Sequence, residues 1–481
     1  VTTQKTQDYY RDNPSARWLT LLVFCVGSFL IPLTMSAVPI AIPAIAKELS
    51  ANAVYVSWIP VSFLLSNLIF LLPAGRLADI YGRKRVYLIG NGLFAIASLL
   101  AGLARSIEIL LLFRLLQGVG AAMFFSTGMA IISTVYRDHG RGEALGWVVA
   151  SVYLGLLCGP LIGGWLSDSF GWRAVFLFPL LPLIACLVLG FFKMQGEWFG
   201  QAGQGFDWLG SFWVTLVILL AFAGLSQLTL LKGQVALVLA AFCLYGFILH
   251  CQRARHPLVP LSIFKGNPLF VRSLISAILM YSGTYGFVFI MALYLQLNRE
   301  LSATMAGQLM MVQAVFMVLL APISGRLSDR FQPRFITTIG CLLNVAGFIV
   351  LLNIEAASLA RLGFAFALIG LGFGLFSTPN NSTAIGAVDE AHLGIGSSLT
   401  NQARLCGQMI STALVSLLLT VYIGDQQIMP EQYPALAKTV QWIIQCSLVF
   451  TLVAAFFAYT RGDVNRAQSH KESKAKIDPI Q

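Results

Sequence analysis

The sequence predicts an all-α integral membrane protein: two six-helix halves with an inserted two-helix hairpin, fourteen transmembrane helices in all. Three observations predict it. Of the 481 residues, 57% are hydrophobic and only 11% are charged, whereas a soluble chain carries about 25% charged residues. Fourteen apolar runs reach the length of about 20 residues that a helix needs to cross a bilayer. Finally, Gly75-Arg76-Leu77-Ala78-Asp79 returns in altered form as Gly325-Arg326-Leu327-Ser328-Asp329, 250 residues later. A membrane chain of two related halves is the plan of proteins that rock one half against the other.

The spans are expected near 18–38, 54–74, 86–104, 109–135, 144–167, 172–192, 208–230, 234–251, 269–296, 303–325, 335–354, 360–385, 394–423 and 436–459. Charge placement supports the count. With the N-terminus inside, the cytoplasmic loops and tails hold 22 cations and the opposite loops only seven, the bias expected when both termini are cytoplasmic. The expected divisions are an N-terminal segment 1–17, a first half 18–195, a linker and hairpin 196–268, a second half 269–461 and a charged tail 462–481. Residues 1–16 are too polar for a secretory signal, so the first run is expected to persist as a span.

Several function classes fall away. The net charge of +11 is spread over loops as a topology signal, with no soluble basic domain for nucleic acid. The eight cysteines are single and apolar in setting, without a CxxC pair or Cys/His ligand spacing, so no metal and no disulfide frame is expected. No nucleophile–base set suggests an enzyme, and no cofactor is implied. The expected partners are a small-molecule substrate, protons and the lipid bilayer, with the protein a monomer.

Four motifs carry the chemistry. In Gly75–Arg85, Asp79 and Arg83 are four apart and pair if a helical turn persists, while Gly75 and Gly82 permit close backbone approach. This makes a gate, with Asp329 its counterpart in the second half; the plainer alternative is a topology cluster. Arg114 and Gln117 share a face of the fourth span, expected to line a central substrate cavity, since a central Arg costs on the order of 2.5–3.5 kcal/mol to insert; the alternative is that Arg114 snorkels to the interface. In the fifth span, Gly155, Gly159 and Gly163 form a side-chain-free stripe, Pro160 removes a backbone hydrogen bond, and Gly164 completes G-x-x-x-G-P-x-x-G-G. In the thirteenth span, Asn401, Arg404 and Gln408 form one polar face.

The first of these motifs resembles the loop signature of the major facilitator superfamily, and the fifth-span string resembles the signature of its antiporters. Phe206-Asp207-Trp208-Leu209-Gly210, Pro257–Phe264, Tyr294-Leu295-Gln296, Ala306-Gly307 and Gly370–Leu375 extend the resemblance to the fourteen-spanner drug–proton antiporter family. It covers about 90% of the chain and implies proton-coupled efflux of drugs or toxic amphipathic compounds from the bacterial inner membrane. It also implies that Arg114 takes part in coupling. One departure stands out. In Leu33-Thr34-Met35-Ser36-Ala37-Val38-Pro39-Ile40-Ala41-Ile42-Pro43, Thr34 occupies the position where the family carries an Asp.

Without that acid, Arg114 and Arg404 favour an anionic or zwitterionic substrate. Arg404 has an alternative as a structural lock on Asn380 and Asn381. The loop with Asp389, Glu390 and His392 is placed to counter the basic gate. Tyr281 and Tyr285, with Phe289, recur every four residues on the ninth span, as packing or, with Tyr153 and Gln313, as the lining of an apolar cavity. Besides the drug exporter, two other functions fit: a dedicated exporter of an anionic or zwitterionic metabolite, and a non-transporting membrane sensor.

Overall fold

The computed structural model describes residues 4–136, 140–200, 203–388 and 393–462. Among them are fourteen helices long and apolar enough to cross a membrane. A short helix, Gln4–Asp12, precedes them. In order they are α1 Pro14–Glu48, α2 Ala53–Tyr81, α3 Arg83–Gly102, α4 Ile107–Val135, α5 Glu143–Phe170, α6 Arg173–Lys193, α7 Trp208–Ser226 and α8 Leu231–Arg253. After the hairpin α7–α8 come α9 Pro268–Leu297, α10 Ala303–Ser328, α11 Pro333–Val350, α12 Leu359–Gly386, α13 Ile395–Tyr422 and α14 Pro430–Thr460.

The helices begin where the sequence can satisfy their first N–H groups. Asn52 accepts from Tyr55 N at 2.8 Å, Ser106 from Ile109 N at 3.4 Å and Ser358 from Arg361 N at 3.2 Å, each an N-cap side chain. Two helices outrun the apolar pattern. α1 continues ten residues past the expected end, through Pro39 and Pro43, because prolines in membrane helices have their freed backbone groups satisfied by neighbours. α2 runs on to Tyr81, so Gly75 and Asp79 lie on a helix and not in the gap between helices. α6 is broken into Arg173–Leu177 and Leu180–Lys193, because Pro179 cannot donate within a continuous helix.

The chain forms two compact units. Unit 1 contains residues 1–259, 288–311 and 412–440; unit 2 contains 260–287, 312–411 and 441–481. The boundary thus passes through α9, α10, α13 and α14.

The internal repeat is visible in how helices cross. In unit 1, a Cβ on Gly120 of α4 would lie 2.7 Å from the Gly90 carbonyl oxygen of α3; in unit 2, one on Gly340 of α11 would lie 2.6 Å from that of Gly372 in α12. Likewise, a Cβ on Gly155 of α5 would collide with the Phe29 carbonyl of α1, and one on Gly407 of α13 with the Ile278 carbonyl of α9. Corresponding glycines are 250 or 252 residues apart, the spacing of the sequence repeat. Within unit 1 the hairpin packs on α2, with Trp58 edge-on to Phe222 of α7 at 5.4 Å.

Candidate functional site

The fifth-span string presents two stripes. Gly155, Gly159 and Gly163, spaced by four, face α1: added Cβ atoms would overlap the Phe29 carbonyl, the Ser36 side chain and Ala37. Ser36 Oγ also donates to the Gly155 carbonyl at 3.4 Å. Pro160, Gly164 and Asp168 form a second stripe, one residue round the helix, and it faces the start of α10. A Cβ on Gly164 would lie 2.5 Å from the Ala303 carbonyl oxygen, and one on Gly307 would strike that of Pro160. Asp168 Oδ2 accepts from Thr304 N at 2.8 Å and Thr304 Oγ1 at 2.5 Å. The adjacent pairs Gly159-Pro160 and Gly163-Gly164 thus give one member to each neighbour. The sequence pointed to the first stripe; the second, and the role of Ala306-Gly307, needed the fold.

Around this contact, other bonds within unit 1 join the first eight helices to the ends of α9 and α13. Gln296 Nε2 donates to Ile40 O at 2.9 Å, Ser57 Oγ to Ser416 Oγ at 3.0 Å, Ala53 N to Gln426 O at 2.9 Å and Gln427 Nε2 to Ser50 O at 3.0 Å. All lie on the face of unit 1 opposite the Gly82 turn, since α2 carries the chain from one face to the other.

At the Gly82 turn, Asp79 and Arg83 pair at 2.7 Å, although the helical turn their spacing relied on ends at Tyr81 and the pair spans the break. Gly82 has φ +113°, a conformation that favours glycine, and a Cβ there would lie 2.5 Å from the Glu197 carboxyl carbon. The linker after α6 folds over the turn. Glu197 Oε1 accepts from Lys84 N at 2.7 Å, Arg83 N donates to Trp198 O at 2.9 Å, Gly200 N to Asp79 O at 3.1 Å and Arg76 Nη2 to Gln204 Oε1 at 2.9 Å. Because Gly82 brings no capping side chain to α3, Glu197 supplies the acceptor from a distant segment. The Gln4–Asp12 helix closes over this linker: Tyr10 lies 5.8 Å from the Trp198 ring and its hydroxyl accepts from Gln195 N at 3.0 Å. Burial pushes the Tyr10 phenol above its ordinary pKa. Asp329 lies on the helix carrying α10, and its side chain is outside those described, as are Asp389, Glu390 and His392.

Arg114 is 2% exposed within unit 1. Its Nε donates to Ile59 O at 3.2 Å and its Nη1 to Gln117 Oε1 at 2.9 Å, while Gln117 Nε2 donates to Ser98 Oγ at 2.7 Å. The guanidinium covers the Phe63 ring at 4.6 Å. Arg114 and Gln117, expected only to share a face, bond to each other, and the network ties α4 to α2 and α3. Thr34 is buried and donates back to Leu30 O at 2.9 Å. Tyr153 is half-buried on α5.

In unit 2, Arg404 Nε and Nη2 donate to Asn401 Oδ1 at 3.0 and 2.7 Å. The arginine bonded to Asn380 is instead Arg461, whose Nη1 donates to Asn380 Oδ1 at 3.0 Å, while Asn380 Nδ2 donates to Ser273 O at 3.2 Å. Arg461 follows α14 directly, and sequence position alone makes it a loop cation. Burial pushes it down to about 10, which leaves it charged at neutral pH. Among the described residues, its Nε and Nη2 find no acceptor. Tyr281 is edge-on to Phe373 at 5.2 Å; Tyr285, Gln313 and Asn381 are half-buried on α9, α10 and α12.

A further acid completes the hairpin. Asp207 accepts from Gly210 N at 2.8 Å and Leu258 N at 2.9 Å, and meets His250 Nε2 at 2.7 Å. It caps α7 and joins both ends of the hairpin to the outgoing linker. Its place before an apolar run is an N-cap signal in the sequence; its pairing with His250 is not.

The sequence model of the Major Facilitator Superfamily matches residues 24–412. Riboflavin transporter RibZ of Clostridioides difficile is 30% identical over 408 residues, covering 83% of this chain and 88% of that protein. Multidrug efflux pump LfrA of Mycolicibacterium smegmatis is 28% identical over 446 residues, covering 89% and 87%. The tetracenomycin C resistance and export protein of Streptomyces glaucescens is 28% identical over 414 residues, covering 85% and 77%. Among solved structures, a bacterial homologue of the human lysosomal transporter Spinster, inward-facing and unoccupied, matches with TM-score 0.68. It covers 97% of this chain and 98% of its own at 16% identity, a likeness of fold alone.

Proposed function

Since the chain belongs to the Major Facilitator Superfamily, we propose that it is a secondary-active exporter of amphipathic organic compounds, drugs among them, working by alternating access with proton antiport. It is an integral membrane protein of the major facilitator fold. The two-faced packing of α5 carries the proposal. One stripe fixes α5 to α1 within the first half, and the other meets α10 of the second, so this helix is a contact that must form and part as access alternates. The relatives named for multidrug efflux and for tetracenomycin C export support an outward direction.

The bias of cations toward the Gly82 side supports a cytoplasmic setting for that face and both termini in a bacterium, with the α5–α10 contact outside. Arg404 and Asn401, half-buried in unit 2, are the polar groups we assign to the substrate path. Arg114, held by Ile59, Gln117 and Phe63, sets the spacing of α2 and α4 along it.

Thr34 favours a second substrate class. Without an acid at that position a lipophilic cation has no buried counter-charge in α1, and the riboflavin transporter among the relatives supports a substrate that is not a cation. Proton release from the purified protein in proteoliposomes, titrated with lipophilic cations and with organic anions, tests both. Release with cations supports multidrug antiport through a displaced acid; flux of anions without proton release supports an arginine-based exporter. No flux with either overturns export.

A further inference from the structure

We propose that Asp168 is the latch of the outer closure, an N-terminal cap that α5 supplies in trans to α10. A helix begins with N–H groups that have no partner in their own helix, and a carboxylate there is favoured by both hydrogen bonding and the helix dipole. At the start of α10, Ser302 Oγ accepts from Met305 N at 3.2 Å. The N–H of Thr304 goes instead to Asp168 Oδ2 at 2.8 Å, and the Thr304 hydroxyl goes to the same oxygen at 2.5 Å.

The position of Asp168 makes this more than a surface bond. It stands eight residues after Pro160 and four after Gly164, so it extends by one turn the stripe into which Ala303 and Gly307 pack. The two lower members allow contact by having no side chain or by offering a bare carbonyl; the third makes the directional bond. The glycines permit approach at that face but do not hold it. Parting α5 from α10 leaves Thr304 N to water and returns the carboxylate to full solvation, so Asp168 biases the equilibrium toward closure without touching the substrate.

The latch presupposes the alternating access proposed above, and its test needs no substrate. Ser57, buried against Ser416 on the same face, reports closure through the labelling rate of Ser57→Cys by a membrane-impermeant maleimide in proteoliposomes of the full chain. Native cysteines are accounted for by the Ser57-intact chain. Adding Asp168→Ala is expected to raise the rate about fivefold, the worth of a helix cap. Asp168→Asn, which keeps an acceptor and loses the charge, is expected to fall between. Asp168 is exposed, so neither change endangers folding. Unchanged labelling in both overturns the latch.

A second arm pairs Asp168→Cys with Thr304→Cys. Oxidation is expected to stop flux and dithiothreitol to restore it, with neither single variant responding. A disulfide that forms and leaves flux intact overturns the latch. Raised labelling in Asp168→Ala with no flux of any compound in the parent chain upholds the latch and removes the export function instead.

Discussion

Gly307 of α10 faces the carbonyl of Pro160 in α5 with no space for even one methyl group between them. Pro160 gives up its own N–H to the chain geometry, and Gly307 gives up its side chain, so two backbones meet where two side chains would hold them apart. This contact joins segments 147 residues apart, and it defines what the closed face of unit 1 tolerates.

Gly307→Ala separates propensity from packing. In a free helix the change stabilises by about 1 kcal/mol; here the new methyl must displace the Pro160 carbonyl. The expected result is lower flux together with faster outer labelling of Ser57→Cys. A raised Tm with unchanged flux would show that the close approach has no role in transport.

The Arg114 network predicts strong coupling between its members. Gln117→Ala leaves Arg114 Nη1 without the acceptor seen here and is expected to cost about 1–3 kcal/mol. In a double-mutant cycle with Arg114→Met, thermal unfolding in detergent should give a coupling of about 0.5–3 kcal/mol. Additive effects would mean that the two side chains act separately.

Arg461 is a buried guanidinium with one described acceptor, Asn380 Oδ1. Removing that acceptor alone, in Asn380→Ala, should lower stability by about 3 kcal/mol, the range for breaking a buried polar pair. Arg461→Met, which takes the charge away, should be close to neutral or stabilising, and should rescue Asn380→Ala. Failure of the rescue would point to an acceptor for Arg461 other than Asn380.

Glu197 caps α3 from the linker, so Glu197→Ala is expected to cost about 1 kcal/mol and to speed proteolysis within 194–204. Gly82→Ala should cost more, because it adds an unfavourable positive φ of about 1–2 kcal/mol to a collision with the same carboxylate. Equal Tm values for the two variants would remove Glu197 from the cap.

The sequence alone determined the number of spans and the Gly75–Asp79 repeat, because these follow from local quantities. Apolar length sets a crossing, and the 250-residue echo of Gly75–Asp79 sets the repeat. It also made the Gly155–Gly159–Gly163 stripe legible, since helical periodicity fixes which residues share a face. Only the tertiary structure decided what each face meets. Asp168 has no local mark that distinguishes it from any acid at a helix end, Glu197 reads as a linker residue, and Arg461 reads as a loop cation, while Asn380 is bonded to Arg461. The physical reason is that hydrogen bonds and close backbone approaches between segments far apart in the chain, 136 residues for Asp168 and Thr304 and 81 for Asn380 and Arg461, depend on helix crossing geometry, which no single helix encodes.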